Sequence, residues 1–270
     1  MELRNPRRPE RSKEEAFSMI AAAGFDGACI DPSVAEIPEC REYVHLFDQH
    51  GLGCMVNAFP YTAEDMVPII DFAAEIGSCM VNVISGVMPI KPEEAVEDVR
   101  RWIAEAAQRN MPLLFETHRD GLLNDLYFTL QLMDLVPEMR LCADLSHFVV
   151  DRELRAPIPA RDQRYISAVL NRSDCFQGRI ANREQVQIQI NFPQHQVWVE
   201  IFKAWWQEGM RAWRKRNDQN ATLVFLCELG PPPYAITDGE QNELSDRWEE
   251  SLQIRDWARD IWTELDKEVS

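Results

Sequence analysis

MPLLFETHRDGLLNDLYFTLQLMDLVPEMRLCADLSHF, residues 111–148, is the stretch whose reading decides the fold. Two short apolar runs, PLLF (112–115) and RLCA (140–143), each end on a polar cluster. The first closes on Glu116-Thr117-His118-Arg119 and the second on Asp144-Leu145-Ser146-His147. An amphipathic segment, LLNDLYFTLQLMDLVPE (122–138), separates them. An apolar run that switches abruptly to acid plus histidine is the pattern of a buried parallel strand whose C-terminal end opens into a site. The crossover returns the chain to a parallel neighbour, so both acidic ends fall on one side of the sheet. Glu116 and Asp144 are then expected side by side at the roughly 5 Å spacing of adjacent strands. At that separation two carboxylates can share one divalent cation, and they repel without one.

The same alternation runs outward in both directions. Residues 1–12 carry neither period and contain two prolines, so they read as an irregular arm. Ser12 and Glu15 form a capping box for KEEAFSMIAAAG, which stops at Gly24, and FDGACID follows as a strand closing on Asp31. VAEIPECREYVHLFDQHG, AEDMVPIIDFAAEIG and PEEAVEDVRRWIAEAAQRN read as helices, with LGCMVNAFP and SCMVNVISG as the strands between them. Beyond His147 the chain passes through a proline-containing loop, a helix at ARDQRYISAVLNRS and a strand at CFQGRIAN. A long loop leads to the helix HQVWVEIFKAWWQEGMRAWRKRN, the strand ATLVFLCELG ending at Glu228, and the last helix LSDRWEESLQIRDWARDIWTELDKE. Strands apolar on both faces that alternate strictly with helices imply a parallel sheet covered by helices. The expected class is α/β, a TIM (β/α)8-type barrel with its first strand missing or irregular, in a single domain over residues 1–270.

Composition narrows the function. The 270-residue chain has 46% hydrophobic and 27% charged residues, those of an ordinary globular protein. A formal net charge of -17 argues against a nucleic-acid partner, which requires a basic surface. No apolar run reaches membrane-spanning length and no leader-like apolar stretch follows the N-terminal arginines. The seven cysteines form no CxxC pair and mostly sit in apolar runs, which fits small core residues in a reducing cytoplasm. Trp198, Phe202, Trp205, Trp206, Met210 and Trp213 recur at helical spacing; they either pack on a barrel wall or supply the contact of a homo-oligomer. His45, His50 and His195 lie away from strand ends and read as surface or packing residues.

Glu116, Asp144, Gln177 and Glu228 stand at strand ends, and barrel strands send such ends into one shared mouth. Three carboxylates there call for a cation, whereas each alone reads equally as a loop cap or an arginine partner. The succession FETH, ADLSHF and CELGPPPY resembles the xylose isomerase-like TIM barrels, which include sugar phosphate isomerases/epimerases and AP endonuclease family 2-like proteins. The resemblance covers nearly the whole chain, from AAAGFDGACIDP to the last helix. It implies a metal held by Glu, Asp, His and Glu, with a DxxH histidine on the substrate. Carried over, the ligands are Glu116, Asp144 and Glu228, with Gln177 where the family has its histidine, and His147 is the DxxH residue. An all-oxygen set suits Mn²⁺ or Mg²⁺ better than Zn²⁺. By the same resemblance Glu116 and Glu228 move a proton next to a carbonyl, and His147 and Arg179 orient oxygens of a small polyhydroxylated substrate. His118, with Arg119, either joins them or caps the next helix. The alternative is a catalytically impaired barrel serving as a binding or structural subunit, which the glutamine at a ligand place favours. Phosphodiester cleavage is disfavoured by the charge and by too few strand-end histidines.

Overall fold

The computed structural model describes residues 3, 7 and 9–269. The chain divides into two compact units, Arg11–Arg140 and Leu141–Ser270. In the first, α1 (Lys13–Ala22) precedes β1 (Gly27–Ile30), and α2 (Ile37–Tyr43) and α3 (His45–His50) lead to β2 (Gly53–Ala58). Then come α4 (Met66–Glu75), β3 (Val81–Val83), α5 (Pro92–Gln108), β4 (Leu113–Glu116) and α6 (Leu126–Leu135). Strands β1 to β4 pair in chain order and in parallel, with Ile30 opposite Val56, Asn57 opposite Asn82 and Asn82 opposite Leu114. In the second unit the order is β5 (Leu141–Ala143), α7 (Leu145–Asp151), α8 (Ala160–Leu170), β6 (Ser173–Gln177), α9 (Gln196–Arg214), β7 (Val224–Leu226) and α10 (Arg247–Val269). Here β5 pairs with β6 and β6 with β7, again in parallel. Among the described residues there are seven strands, and the first element is a helix rather than a strand. The expected irregular arm falls partly outside the described residues.

Local chemistry explains the elements. Ser12 Oγ accepts the Glu15 N–H at 3.2 Å while Glu15 Oε2 accepts the Ser12 N–H at 2.9 Å, the reciprocal cap expected from the sequence. Gly51 ends α3 in the left-handed region, at φ 65°, where a side chain is disfavoured. Every residue of β3, β4 and β5 is buried, as strands with both faces covered require.

Four expectations change. The single helix anticipated before Gly51 is a 3₁₀ turn, Val34–Glu36, followed by two short helices. Residues 63–75 likewise begin with a 3₁₀ turn, so that Pro68 falls in the first turn of α4, where no backbone donor is needed. The cluster after β5 is helical: Asp144 caps α7 by accepting the Ser146 N–H, so His147 sits in that helix. Strand β7 is shorter than its apolar run and stops two residues before Glu228.

The aromatic residues of α9 are wall packing. Trp198, Phe202, Trp205, Trp206, Met210 and Trp213 are all buried inside the second unit. Trp206 meets Phe225 edge-on at 5.2 Å and Trp213 lies 5.9 Å from Trp262. Gly209 makes this approach possible, because a Cβ there would stand 2.3 Å from Phe176 Cε1. Of the cysteines, five are buried, Cys29 is half-buried and Cys79 is exposed; none of the described cysteines is bridged.

Candidate active-site strand ends

In the second unit the strand ends carry a buried charge network built around Arg179. Asp144 follows β5 directly and is fully buried. Its Oδ1 accepts from the Ser146 N–H at 2.9 Å and the Ser146 hydroxyl at 2.5 Å. Its Oδ2 accepts from Arg179 Nη2 at 2.5 Å and Nε at 3.1 Å. The same Nη2 stands 3.0 Å from Glu228 Oε1 and 3.2 Å from His147 Nε2. Arg179 is itself 1% exposed, and its guanidinium lies 4.9 Å from the centre of the Tyr234 ring. Burial by itself would push the Asp144 carboxyl up. The Arg179 guanidinium, His147 and the Ser146 bonds outweigh that and hold it at about 2. Asp144 is therefore a carboxylate throughout the neutral range, and the acids hold Arg179 firmly protonated.

The sequence expected Arg179 to face substrate oxygens; the structure places its guanidinium on Asp144 and Glu228. The reason is electrostatic. Two acids at the ends of β5 and β7 need a counter-charge, and Arg179, two residues beyond the end of β6 that lies between them, offers a planar fork. Gln177, the last residue of β6, is buried and directs Nε2 to Cys142 Sγ at 3.7 Å.

In the first unit Glu116 ends β4 and is 3% exposed. It accepts from Asn82 Nδ2 at 2.5 Å, and that amide also donates to Asn57 Oδ1 at 2.9 Å. Asn57 in turn donates to Asp31 Oδ1 at 3.0 Å. His118 is half-buried, and its Nδ1 accepts the Asp120 N–H at 3.1 Å within the loop before α6, which Asp125 caps. The sequence reading passed over Asn57 and Asn82 because neutral amides inside apolar strands carry no charge signal. A signal did exist: the tripeptide MVN occurs at 55–57 and again at 80–82, in both cases running into a strand end.

The comparisons place this architecture. No curated protein matches the sequence. Among solved structures, a xylose isomerase-like TIM barrel protein from Mycobacterium smegmatis in complex with magnesium superposes with a TM-score of 0.61. The two share 15% identity over 93% of this chain and 88% of that one. A D-psicose 3-epimerase from Clostridium cellulolyticum H10, solved with D-tagatose, gives a TM-score of 0.56 at 13% identity over 93% and 94% of the two chains. A probable 3-DHS dehydratase from Bacillus anthracis gives 0.52 at 17% identity over 70% and 74%. These likenesses establish the fold, an α/β barrel of the TIM type. The family model for the xylose isomerase-like TIM barrel matches residues 17–170, running straight through the division at Arg140. More than half of the sequence is covered, and the chain belongs to the xylose isomerase-like TIM barrel family.

Proposed function

We propose that this chain is an isomerase or epimerase of a sugar, sugar phosphate or related polyhydroxylated carbonyl compound, acting by proton transfer at the carbon next to the carbonyl. The observation that carries the reading is the state of the strand-end acids. Asp144 is clamped as a carboxylate, Glu228 is paired with Arg179, and Glu116 accepts a hydrogen bond from Asn82. A carboxyl oxygen held as an acceptor at a strand end suits the base that removes a proton, and a second carboxyl can return one. In this reading Glu116 and Glu228 are the two proton-transfer residues. One, as the carboxylate, takes the C–H proton, leaving an enediolate, and the other, entering the step as the protonated acid, gives its proton to the opposite face or the adjacent carbon and is left as the carboxylate. His147, with His118, orients substrate oxygens, and Arg179 holds the Asp144 and Glu228 carboxylates in place. The epimerase and the dehydratase of like fold are consistent with a shared opening step, since epimerisation and dehydration of a hydroxy-carbonyl compound both begin with removal of such a proton.

A divalent ion fits the donor set chemically. Asp144, Glu228 and Glu116 are hard oxygen donors and Gln177 offers an amide oxygen, a set for Mg²⁺ or Mn²⁺ rather than Zn²⁺. When bound, such an ion polarises carbonyl and hydroxyl oxygens. The choice between the two metals is part of the proposal.

The test is exchange of substrate C–H for deuterium, followed by proton NMR in D₂O. The panel is ketohexoses, pentuloses and their phosphates, with Mg²⁺ or Mn²⁺. Exchange that Glu228→Gln abolishes supports the reading. No exchange from any member in either metal overturns it in favour of a barrel that binds without turnover. One observation favours that second reading: a buried guanidinium already engages both Asp144 and Glu228.

A further inference from the structure

Four consecutive strands of the first unit carry a single line of polar side chains. Ile30 is opposite Val56, so Asp31, just past β1, comes level with Asn57; Asn57 is opposite Asn82; Asn82 is opposite Leu114, two residues before Glu116. Side chains two apart on a strand share a face, so Glu116 points to the same side as Leu114 and is a diagonal neighbour of Asn82. The hydrogen bonds run unbroken along this line, from Asn57 to Asp31 at 3.0 Å, from Asn82 to Asn57 at 2.9 Å and from Asn82 to Glu116 at 2.5 Å.

The line has a direction. Solvent reaches Asp31 at its outer end, whereas Asn57, Asn82 and Glu116 are buried. A carboxylate only accepts, so Asn57 must turn its NH₂ toward Asp31 and its oxygen toward Asn82. Asn82 must then present NH₂ to Asn57, and its second hydrogen is the one that reaches Glu116. The cost is visible: Asn82 Oδ1 is buried and has no donor among the described residues. Turning the amide over would set that oxygen against Asn57 Oδ1 and Glu116 Oε2, both acceptors, and would gain it no partner. The orientation of Asn82 is thus fixed from both ends, by Asp31 through Asn57 and by Glu116 directly.

We propose that Asp31, Asn57 and Asn82 are positioning residues for Glu116, and that the carboxylate at β1 fixes, through two amides, the rotamer and acceptor role of the carboxylate at β4. For catalysis this rests on the reading of Glu116 as a proton-transfer residue; as a physical coupling it does not. Three strand spacings, roughly 14 Å, separate the ends, well past the range at which substitutions normally couple.

A double-mutant cycle tests it. Asp31→Asn and Glu116→Gln, singly and together, are measured by urea unfolding of the full chain, then remeasured in an Asn57→Leu background. Should Asn57→Leu fail to fold, Asn57→Ala replaces it. The unfolding constant of the double variant is expected to depart from the product of the singles by about threefold or more, and the departure is expected to vanish once Asn57 is replaced. Additive singles overturn the proposal. So does a departure that survives the Asn57 replacement, because that is charge repulsion through space. A separate kinetic arm uses whichever ketose shows deuterium exchange. Asp31→Asn should lower kcat several-fold with KM little changed, and Asp31→Glu should restore part of it. Glu116→Gln with full exchange alongside a real coupling removes the functional reading and leaves the ladder standing. Loss of exchange without coupling does the opposite.

Discussion

Glu250 should make the stability of the second unit fall as pH rises from about 4.5 to about 7. This carboxyl lies in α10, is 2% exposed and accepts the Ile190 N–H at 3.0 Å. Burial pushes it from its ordinary 4.5 to about 7, assisted by Asp246 and Glu243 and only partly opposed by bonds from Ser245 and Ile190. Between those two values the folded chain holds a proton that the unfolded chain has released. The contribution is therefore fully present below about 4.5 and is lost by about 7. At about 1.4 kcal/mol per decade, the gap corresponds to about 3 kcal/mol. Glu250→Gln keeps an acceptor for Ile190 and removes the titration. Against the parent protein, the variant should be more stable by up to about 3 kcal/mol near pH 8. That advantage should shrink steadily toward pH 4.5. Urea titrations followed by far-UV circular dichroism at half-unit pH steps give the difference directly. A difference independent of pH, or one that grows toward acid, refutes the reasoning. The matter reaches the site, because Gln187, in the same segment as Ile190, holds both backbone groups of Gly230, two residues beyond Glu228.

Three further outcomes follow from particular contacts. Gly209→Ala should destabilise by about 1–3 kcal/mol through the Phe176 ring, although in an open helix it would gain about 1 kcal/mol; urea unfolding gives the sign. Arg179→Met strips buried Asp144 and half-buried Glu228 of their counter-charge and should cost about 3–5 kcal/mol, so a melting temperature unchanged by calorimetry would show the network to be incidental. Gln177→His should raise Mn²⁺ affinity about tenfold or more and Mg²⁺ affinity far less, because imidazole is the stronger donor to a transition metal. Equal Mn²⁺ affinities in titration calorimetry would remove Gln177 from the ligand set.

Much of this was legible in the residues. Capping at Ser12 and Glu15, the stop at Gly51, and the switch from apolar run to acid at Glu116 and Asp144 are local signals, written in residues adjacent to the event. What stayed hidden depends on partners distant in sequence. Asp144 reads as a strand-end ligand, yet its second role as the cap of α7 follows from the buried LSHFV turn. Arg179 reads as a substrate contact, because nothing in QGR tells that its fork closes on acids 35 residues earlier and 49 residues later. Asn57 and Asn82 acquire meaning only from the register that sets them side by side.

The aromatic lining of α9 gives the two units unequal optical weight. Seven of the eight tryptophans belong to α9 and α10, and only Trp102 lies in the first unit. Intrinsic fluorescence therefore watches the second unit almost alone, and Trp102, stacked 6.3 Å from Phe115 beside Glu116, is the single emitter of the first. Replacing Trp102 with phenylalanine would darken the first unit, and moving every other tryptophan to phenylalanine would leave it alone visible. Emission recorded beside a backbone signal then resolves whether the halves on either side of Arg140 melt together or in turn.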